Sequence, residues 1–99
     1  MHVDTFYLTT CGISVEAGIT YQQIDEISVQ TQMMEDADHT IVIANSPKLG
    51  VNSLVRMCGI ENISALITDY EVSPTEVGKF ENAGVRVMVT PERSDTIHE

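Results

Sequence analysis

Thr40-Ile41-Val42-Ile43-Ala44-Asn45-Ser46-Pro47-Lys48-Leu49-Gly50 is the stretch from which the fold can be read. An apolar run rich in β-branched side chains stops at a polar turn that contains Pro, Gly and a single lysine. A strand buried inside a parallel sheet has this near-continuous apolar character, and in open α/β sheets ligands sit beyond the carboxyl ends of such strands. Ala65-Leu66-Ile67-Thr68-Asp69 ends in the same manner, with Thr and Asp at the strand tip. Two strand ends that carry a lysine, an aspartate and hydroxyls outline half of an anion-binding cleft.

The remaining composition narrows the function by exclusion. Fifteen acidic against five basic residues give a net charge of -10 over 99 residues, and no Lys/Arg cluster offsets it. A phosphate backbone repels such a chain, so direct nucleic-acid binding by this segment is not expected. No apolar run approaches the ~20 residues needed to cross a bilayer, and the first residues do not form a signal peptide. Cys11 and Cys58 lack the spacing of a metal knuckle or a disulfide framework, which points to reduced thiols in the cytoplasm. His2, His39 and His98 are scattered, and neither a metal nor a cofactor is expected.

Along the chain the pattern predicts one α/β domain over residues 1–99, with a mostly parallel sheet flanked by helices in the order β-α-β-β-β-α-β. Thr5 to Thr10 reads as the first strand, and Cys11-Gly12-Ile13 and Gly18-Ile19-Thr20 punctuate a loop after it. Gln22 to Asp38 reads as a helix whose stripe is Ile24, Ile27, Thr31, Met34 and Ala37, spaced three or four apart. Thr40 to Ala44, Ser53 to Cys58 and Ala65 to Thr68 follow as strands. Ser73-Pro74-Thr75-Glu76 is a helix start: Ser caps, Pro takes the first turn, and Glu can reach back to the cap amide. Val77, Phe80 and Ala83 make that helix's apolar stripe, and Gly84 stops it. Val85 to Val89 is the last strand, Thr90 onward a fraying tail, and about 91–99 a polar terminus.

These motifs together are similar to a known family. Cys11-Gly12-Ile13-Ser14-Val15-Glu16-Ala17-Gly18-Ile19-Thr20, then Met33-Met34-Glu35-Asp36-Ala37-Asp38, Ile43-Ala44-Asn45-Ser46-Pro47-Lys48-Leu49-Gly50 and Leu66-Ile67-Thr68-Asp69 resemble, in order and spacing, the effector domain of DeoR-family transcriptional regulators. The resemblance runs from about residue 4 to residue 89. It implies a Rossmann-like fold of the kind shared by ribose-5-phosphate isomerases, sugar-phosphate deaminases and CoA transferases, of which this chain would be the C-terminal half. It further implies a phosphorylated sugar or related metabolite as ligand, and a winged helix-turn-helix, absent here, as the element the ligand controls. The family's upstream strand and glycine turn, which cradle much of the phosphate, are also absent. Three positions depart from the family pattern: Cys11 replaces a glycine, Asn45 an aspartate, and Gln30 a helix lysine.

The expected ligand-binding residues are Lys48, Ser46, Asn45, Gly50, Asp69 and Gly12. Lys48 would supply a point charge, with the backbone amides of Leu49 and Gly50 facing the same anion; a solvated turn lysine is the alternative. Asp69 would bond sugar hydroxyls or fasten the turn toward Ser73. Ser46 would add a hydroxyl or shape the turn before Pro47, and Gly12 would serve either backbone geometry or ligand approach. General acid–base chemistry needs a carboxylate or His with an orienting partner, and Glu16, the tempting loop carboxylate, has none evident. The acidic pair and phospho-accepting aspartate of a receiver domain are missing too. The chain therefore reads as a non-enzymatic sensor. A fragment of a sugar-phosphate isomerase or deaminase, and a truncated stand-alone oligomerisation module, are the other readings. Because the sheet opens almost at residue 1, an edge or face is left that invites self-association.

Overall fold

The structure, a computed structural model, describes residues 3–91. Four parallel strands form the main sheet: β1 (Val3–Thr9), β4 (Ala37–Ile43), β6 (Ala65–Thr68) and β7 (Arg86–Val89), side by side in that order. Between β1 and β4 the chain makes a hairpin of β2 (Gly12–Ser14) and β3 (Gly18–Tyr21), then the helix α1 (Asp25–Glu35). A short 3-10 turn (Ser46–Lys48) and β5 (Val55–Cys58) lead from β4 to β6. The helix α2 (Pro74–Asn82) connects β6 to β7.

The expected α/β architecture with a mostly parallel sheet is present, and the differences lie in the connections. The stretch 11–20, read as a loop, is the β2–β3 hairpin. β5, read as a further strand of the order, pairs antiparallel with β3 in a separate three-stranded sheet, β2-β3-β5. The hairpin escapes a sequence reading because its strands show no alternation: every residue of β2 and β3 is buried. Gly18 is required there. It has φ +79°, and a Cβ would collide with the Cys58 carbonyl oxygen of the adjacent strand.

α1 is shorter than the predicted span of 22–38. Ala37 and Asp38 belong to β4, because β1 offers pairing partners from its first residue: Val3 lies opposite Ala37 and Thr5 opposite His39. Ile24 precedes the helix and is 70% exposed, so the stripe that meets the core is Ile27 and Met34. In α2 the cap forms as expected, Ser73 Oγ accepting from Glu76 N at 3.1 Å. The Glu76 carboxylate, however, lies 3.6 Å from Lys79 Nζ. Phe80 is buried and Val77 half-buried, whereas Ala83 is exposed as the C-cap. Thr90 does not begin a frayed tail; its amide donates to Thr68 O at 2.9 Å and prolongs the sheet. The polar terminus expected over 91–99 lies, apart from Pro91, outside the described residues.

Strand order increases steadily along the chain, so right-handed crossovers bring every connection onto one face of the main sheet. Burial shows this. Leu8, Val42 and Leu66, adjacent in register, are at most 1% exposed, and they join Ile13 and Ile19 of the small sheet and Phe80 of α2 in one core. The opposite face carries Tyr7, 57% exposed, and Ile43, 41% exposed. All carboxyl ends of the parallel strands point to the same edge, where the candidate site lies.

Candidate functional site

A cleft of about 320 Å³ opens at the carboxyl ends of β1 and β4 and is lined by Thr9, Thr10, Cys11, Tyr21, Glu26, Gln30 and Lys48. Each wall has its own cause. Thr9 and Thr10 end β1, and Cys11 begins the hairpin across from Tyr21 at the end of β3. Glu26 and Gln30 are four apart in α1 and so share a face of the helix. Lys48 ends the 3-10 turn after β4, a turn closed by Lys48 N donating to Asn45 O at 2.9 Å.

The inner wall is internally satisfied. Tyr21 OH donates to Thr9 O at 2.6 Å. Burial, and then the nearby Cys11 and Glu26, push the Tyr21 phenol well above its usual range, so it stays protonated. Thr10 Oγ1 donates to Thr20 O at 2.7 Å and accepts from Gly12 N at 3.3 Å, which props the start of the hairpin. On the outer wall Glu26, Gln30 and Lys48 present polar ends, and Lys48 is the cation of the cleft. Among the described residues Lys48 forms no ion pair. An unpaired ammonium opposite a carboxylate and an amide suits a ligand with an anionic group at one end and hydroxyls at the other.

Of the six residues singled out by sequence, Lys48 lines this cleft. Ser46 and Asp69 are brought together elsewhere: Ser46 N donates to Asp69 Oδ2 at 2.8 Å and Glu71 N to Asp69 Oδ1 at 2.9 Å. Burial opposes ionisation of this carboxyl, but the amide bonds from Ser46 and Glu71 outweigh it and hold its pKa below the usual value. Asp69 thus bolts the turn after β4 to the turn after β6. Asn45 precedes the 3-10 turn with its side chain exposed and making no cap bond. Gly50, at φ +86°, donates its amide to Ile13 O at 2.7 Å, and Leu49 N donates to Ser46 O at 3.1 Å. The two amides expected to face an anion are therefore already taken. Gly12 is buried in β2, where a Cβ would lie 2.5 Å from Val51 O.

Thr9, Thr10, Cys11, Tyr21, Glu26 and Gln30 were not among the residues singled out. The rule applied to the ends of β4 and β6 would have reached Thr9-Thr10 at the end of β1, and the i, i+4 polar pair at the start of α1 marks the side of the helix turned to the cleft. Tyr21 carries no such signal. A second cleft of about 320 Å³, between α1 and β5, is lined by Thr31, Met34, Glu35, Met57, Cys58 and Asn62 and contains no cationic group. Burial and Glu61 push the Cys58 thiol up there, against the opposing effect of Arg56. Among the described residues no group of His, Cys, Asp and Glu is arranged to hold a metal ion, and no helix is long and apolar enough to cross a membrane.

Comparison with known proteins gives a consistent result. A family model described as the DeoR C terminal sensor domain matches residues 1–70. The chain is 33% identical over 85 residues to the HTH-type transcriptional regulator GlpR of Haloferax volcanii, covering 86% of this chain and 33% of that protein. It is 31% identical over 91 residues to the HTH-type transcriptional repressor GlcR of Bacillus subtilis, covering 92% of this chain and 35% of the relative. Against the putative aga operon transcriptional repressor of Escherichia coli O157:H7, identity is 28% over 91 residues, or 92% of this chain and 34% of the relative. The chain spans about a third of the length of the curated relatives it matches.

Proposed function

The chain belongs to the DeoR sensor-domain family, and from that membership we propose that it senses a phosphorylated sugar or related small metabolite in the cleft beside Lys48. The observation that carries this reading is an ammonium, without an ion pair among the described residues, at the carboxyl edge of a parallel sheet and facing a helix that presents Glu26 and Gln30. Lys48 takes the phosphate as a point charge, and Glu26 and Gln30 take the hydroxyls. Gln30 in place of the lysine of the resembled pattern leaves one cation fewer for the ligand, so Lys48 bears more of the recognition.

The ligand is bound and released unchanged. Tyr21 stays protonated with its hydroxyl donated to a backbone carbonyl, and among the described residues no partner bond orients Glu26 as a general base would need. Binding acts on transcription by favouring one arrangement of the regulator over another, which biases a helix-turn-helix outside this sequence. The regulator works in the cytoplasm and self-associates through this chain, while DNA contact is left to the helix-turn-helix.

A panel of sugar phosphates and their unphosphorylated parents, titrated calorimetrically into this chain and into the full regulator, tests the reading. Phosphate-dependent, saturable heat is the expected result. Equal binding of phosphorylated and unphosphorylated compounds, or none by the full regulator, overturns it.

A further inference from the structure

We propose that Asp69 is a positioning residue for Lys48: from outside the cleft, its carboxylate fixes the turn that carries the ammonium and so governs phosphate recognition. The proposal rests on the reading of Lys48 above and adds a second residue to it.

The turn that carries Lys48 has little to hold it in place by itself. Ser46–Lys48 is a single 3-10 turn, closed by Lys48 N donating to Asn45 O at 2.9 Å and Leu49 N donating to Ser46 O at 3.1 Å. Such a turn has poor hydrogen-bond geometry and lacks the cooperativity of a longer helix. Its far end is anchored: Leu49 is buried and bridges to Ile13, and Gly50 N donates to Ile13 O at 2.7 Å. Its near end has no anchor of its own. Asn45 stands at the cap position and makes no cap bond, and Pro47 has no amide to donate. The amide of Ser46 has no carbonyl partner within the turn, and Asp69 Oδ2 accepts it at 2.8 Å. Asp69 thus does for this turn, from the neighbouring strand end, what an N-cap side chain does for a helix.

Asp69 is itself held for this task. Its Oδ1 accepts from Glu71 N at 2.9 Å, so the two oxygens serve two different turns. β6, which ends at Thr68, pairs with β4, and Ala44 N donates to Ile67 O at 3.0 Å, so the carboxylate and the Lys48 turn ride on adjacent strands. Burial works against the carboxylate charge, and the bonds from Ser46 and Glu71 outweigh it. Asp69 does not line the cleft. Lys48 stands two residues beyond Ser46, about 4 Å along a turn that rises ~2.0 Å per residue, so a displacement of Ser46 passes to the root of the lysine. An ammonium on a flexible four-carbon stem has no fork to fix its direction. Where it meets a phosphate is set by its backbone and by the residues that support that backbone. An asparagine at position 69 keeps the shape but turns an NH2 group toward one of the two amides, donor against donor, and one fastening is lost.

Calorimetry on the full regulator tests this with a double-mutant cycle over Asp69→Asn and Lys48→Ala. The probes are hexose and pentose phosphates and inorganic phosphate, titrated at a temperature where every variant keeps its native circular dichroism. Asp69→Asn should weaken binding about tenfold, which is about 1.4 kcal/mol. In the Lys48→Ala background the same change should alter affinity less than about twofold, because the group it positions is gone. A residue that only stabilised the fold would leave the affinity of the folded protein alone in both backgrounds. Asp69→Asn that binds as tightly as the wild type, with Lys48→Ala weakened, overturns the positioning role alone. Losses that add in the double variant overturn it too, since Asp69 would then act independently of Lys48. Wild-type binding that Lys48→Ala does not weaken, or no binding at all, overturns the reading of Lys48 on which the proposal rests. If Asp69→Asn loses its native circular dichroism, Asp69→Glu, which keeps the charge and displaces it by one methylene, takes its place in the cycle with the same outcomes.

Discussion

Lys48 and Asp69 sit on neighbouring turns of the same sheet edge, and their surroundings divide their roles. Lys48 makes no ion pair among the described residues, whereas both oxygens of Asp69 accept backbone amides. Lys48→Ala should therefore cost sugar-phosphate affinity about 1.5–3 kcal/mol, the range for a hydrogen bond to a charged group, with little change in melting temperature. Lys48→Arg should restore part of it, since a planar fork does not reproduce an ammonium. Calorimetry beside a thermal melt reads both quantities, and unchanged affinity would return Lys48 to a solvated turn residue. Asp69 is expected to act on stability through pH. Its folded pKa is depressed, so its contribution is fully present above the ordinary carboxylate pKa and is lost as pH falls through the folded value. Asp69→Asn should lower stability at neutral pH and flatten the acid limb of the stability curve. Urea titrations at pH 7 and pH 3 check it; parallel acid limbs for the two proteins would show that the carboxylate charge is not what fastens the turns.

At the scale of elements, α2 tests how far local chemistry sets the structure. Ser73 supplies one cap bond to Glu76 N, Pro74 begins the helix, and Gly84 at φ +95° follows its end. Ser73→Ala should cost about 1 kcal/mol of stability and no ligand affinity, because α2 does not line the Lys48 cleft. A loss of affinity larger than the loss of stability, measured by calorimetry and denaturant unfolding on the same samples, would place the β6–α2 loop in the site. α1 follows a different logic. None of its residues is buried, and its inward stripe is thin, with Ile27 and Met34 packed on the core while Val29 and Met33 are exposed. Its position depends on the sheet below it and on the cleft that Glu26 and Gln30 help to line.

For the whole molecule, the net charge of -10 governs behaviour in solution. Self-repulsion destabilises the compact state, and salt screens it, so the melting temperature should rise between about 0.05 and 1 M salt as the Debye length falls from above ~10 Å to ~3 Å. Calorimetric scans check this, and a salt-independent melting temperature would show that the carboxylates are too dispersed to matter. The same charge leads to the expectation that the isolated chain gives no salt-sensitive, saturable shift of duplex DNA in a mobility assay. The strands of the main sheet, the α2 cap and Lys48 were legible from sequence because each is written locally: a β-branched run, Ser-Pro-x-Glu, a lysine four residues past an apolar run. The β2–β3 hairpin was not, since its short, wholly buried strands carry no alternation and its glycines read as breakers. The start of β4 at Ala37 was not either, because it depends on Val3 being in place to pair with it. The chain by itself determined its class, its charge and the carboxyl ends of its parallel strands to within a residue, which are properties of neighbouring residues. Only the tertiary structure decided that Thr9, Tyr21, Glu26, Gln30 and Lys48 share one cleft and that the Gly50 amide is spent on Ile13. Each of those depends on which segments, distant in sequence, the right-handed crossovers bring to the same side.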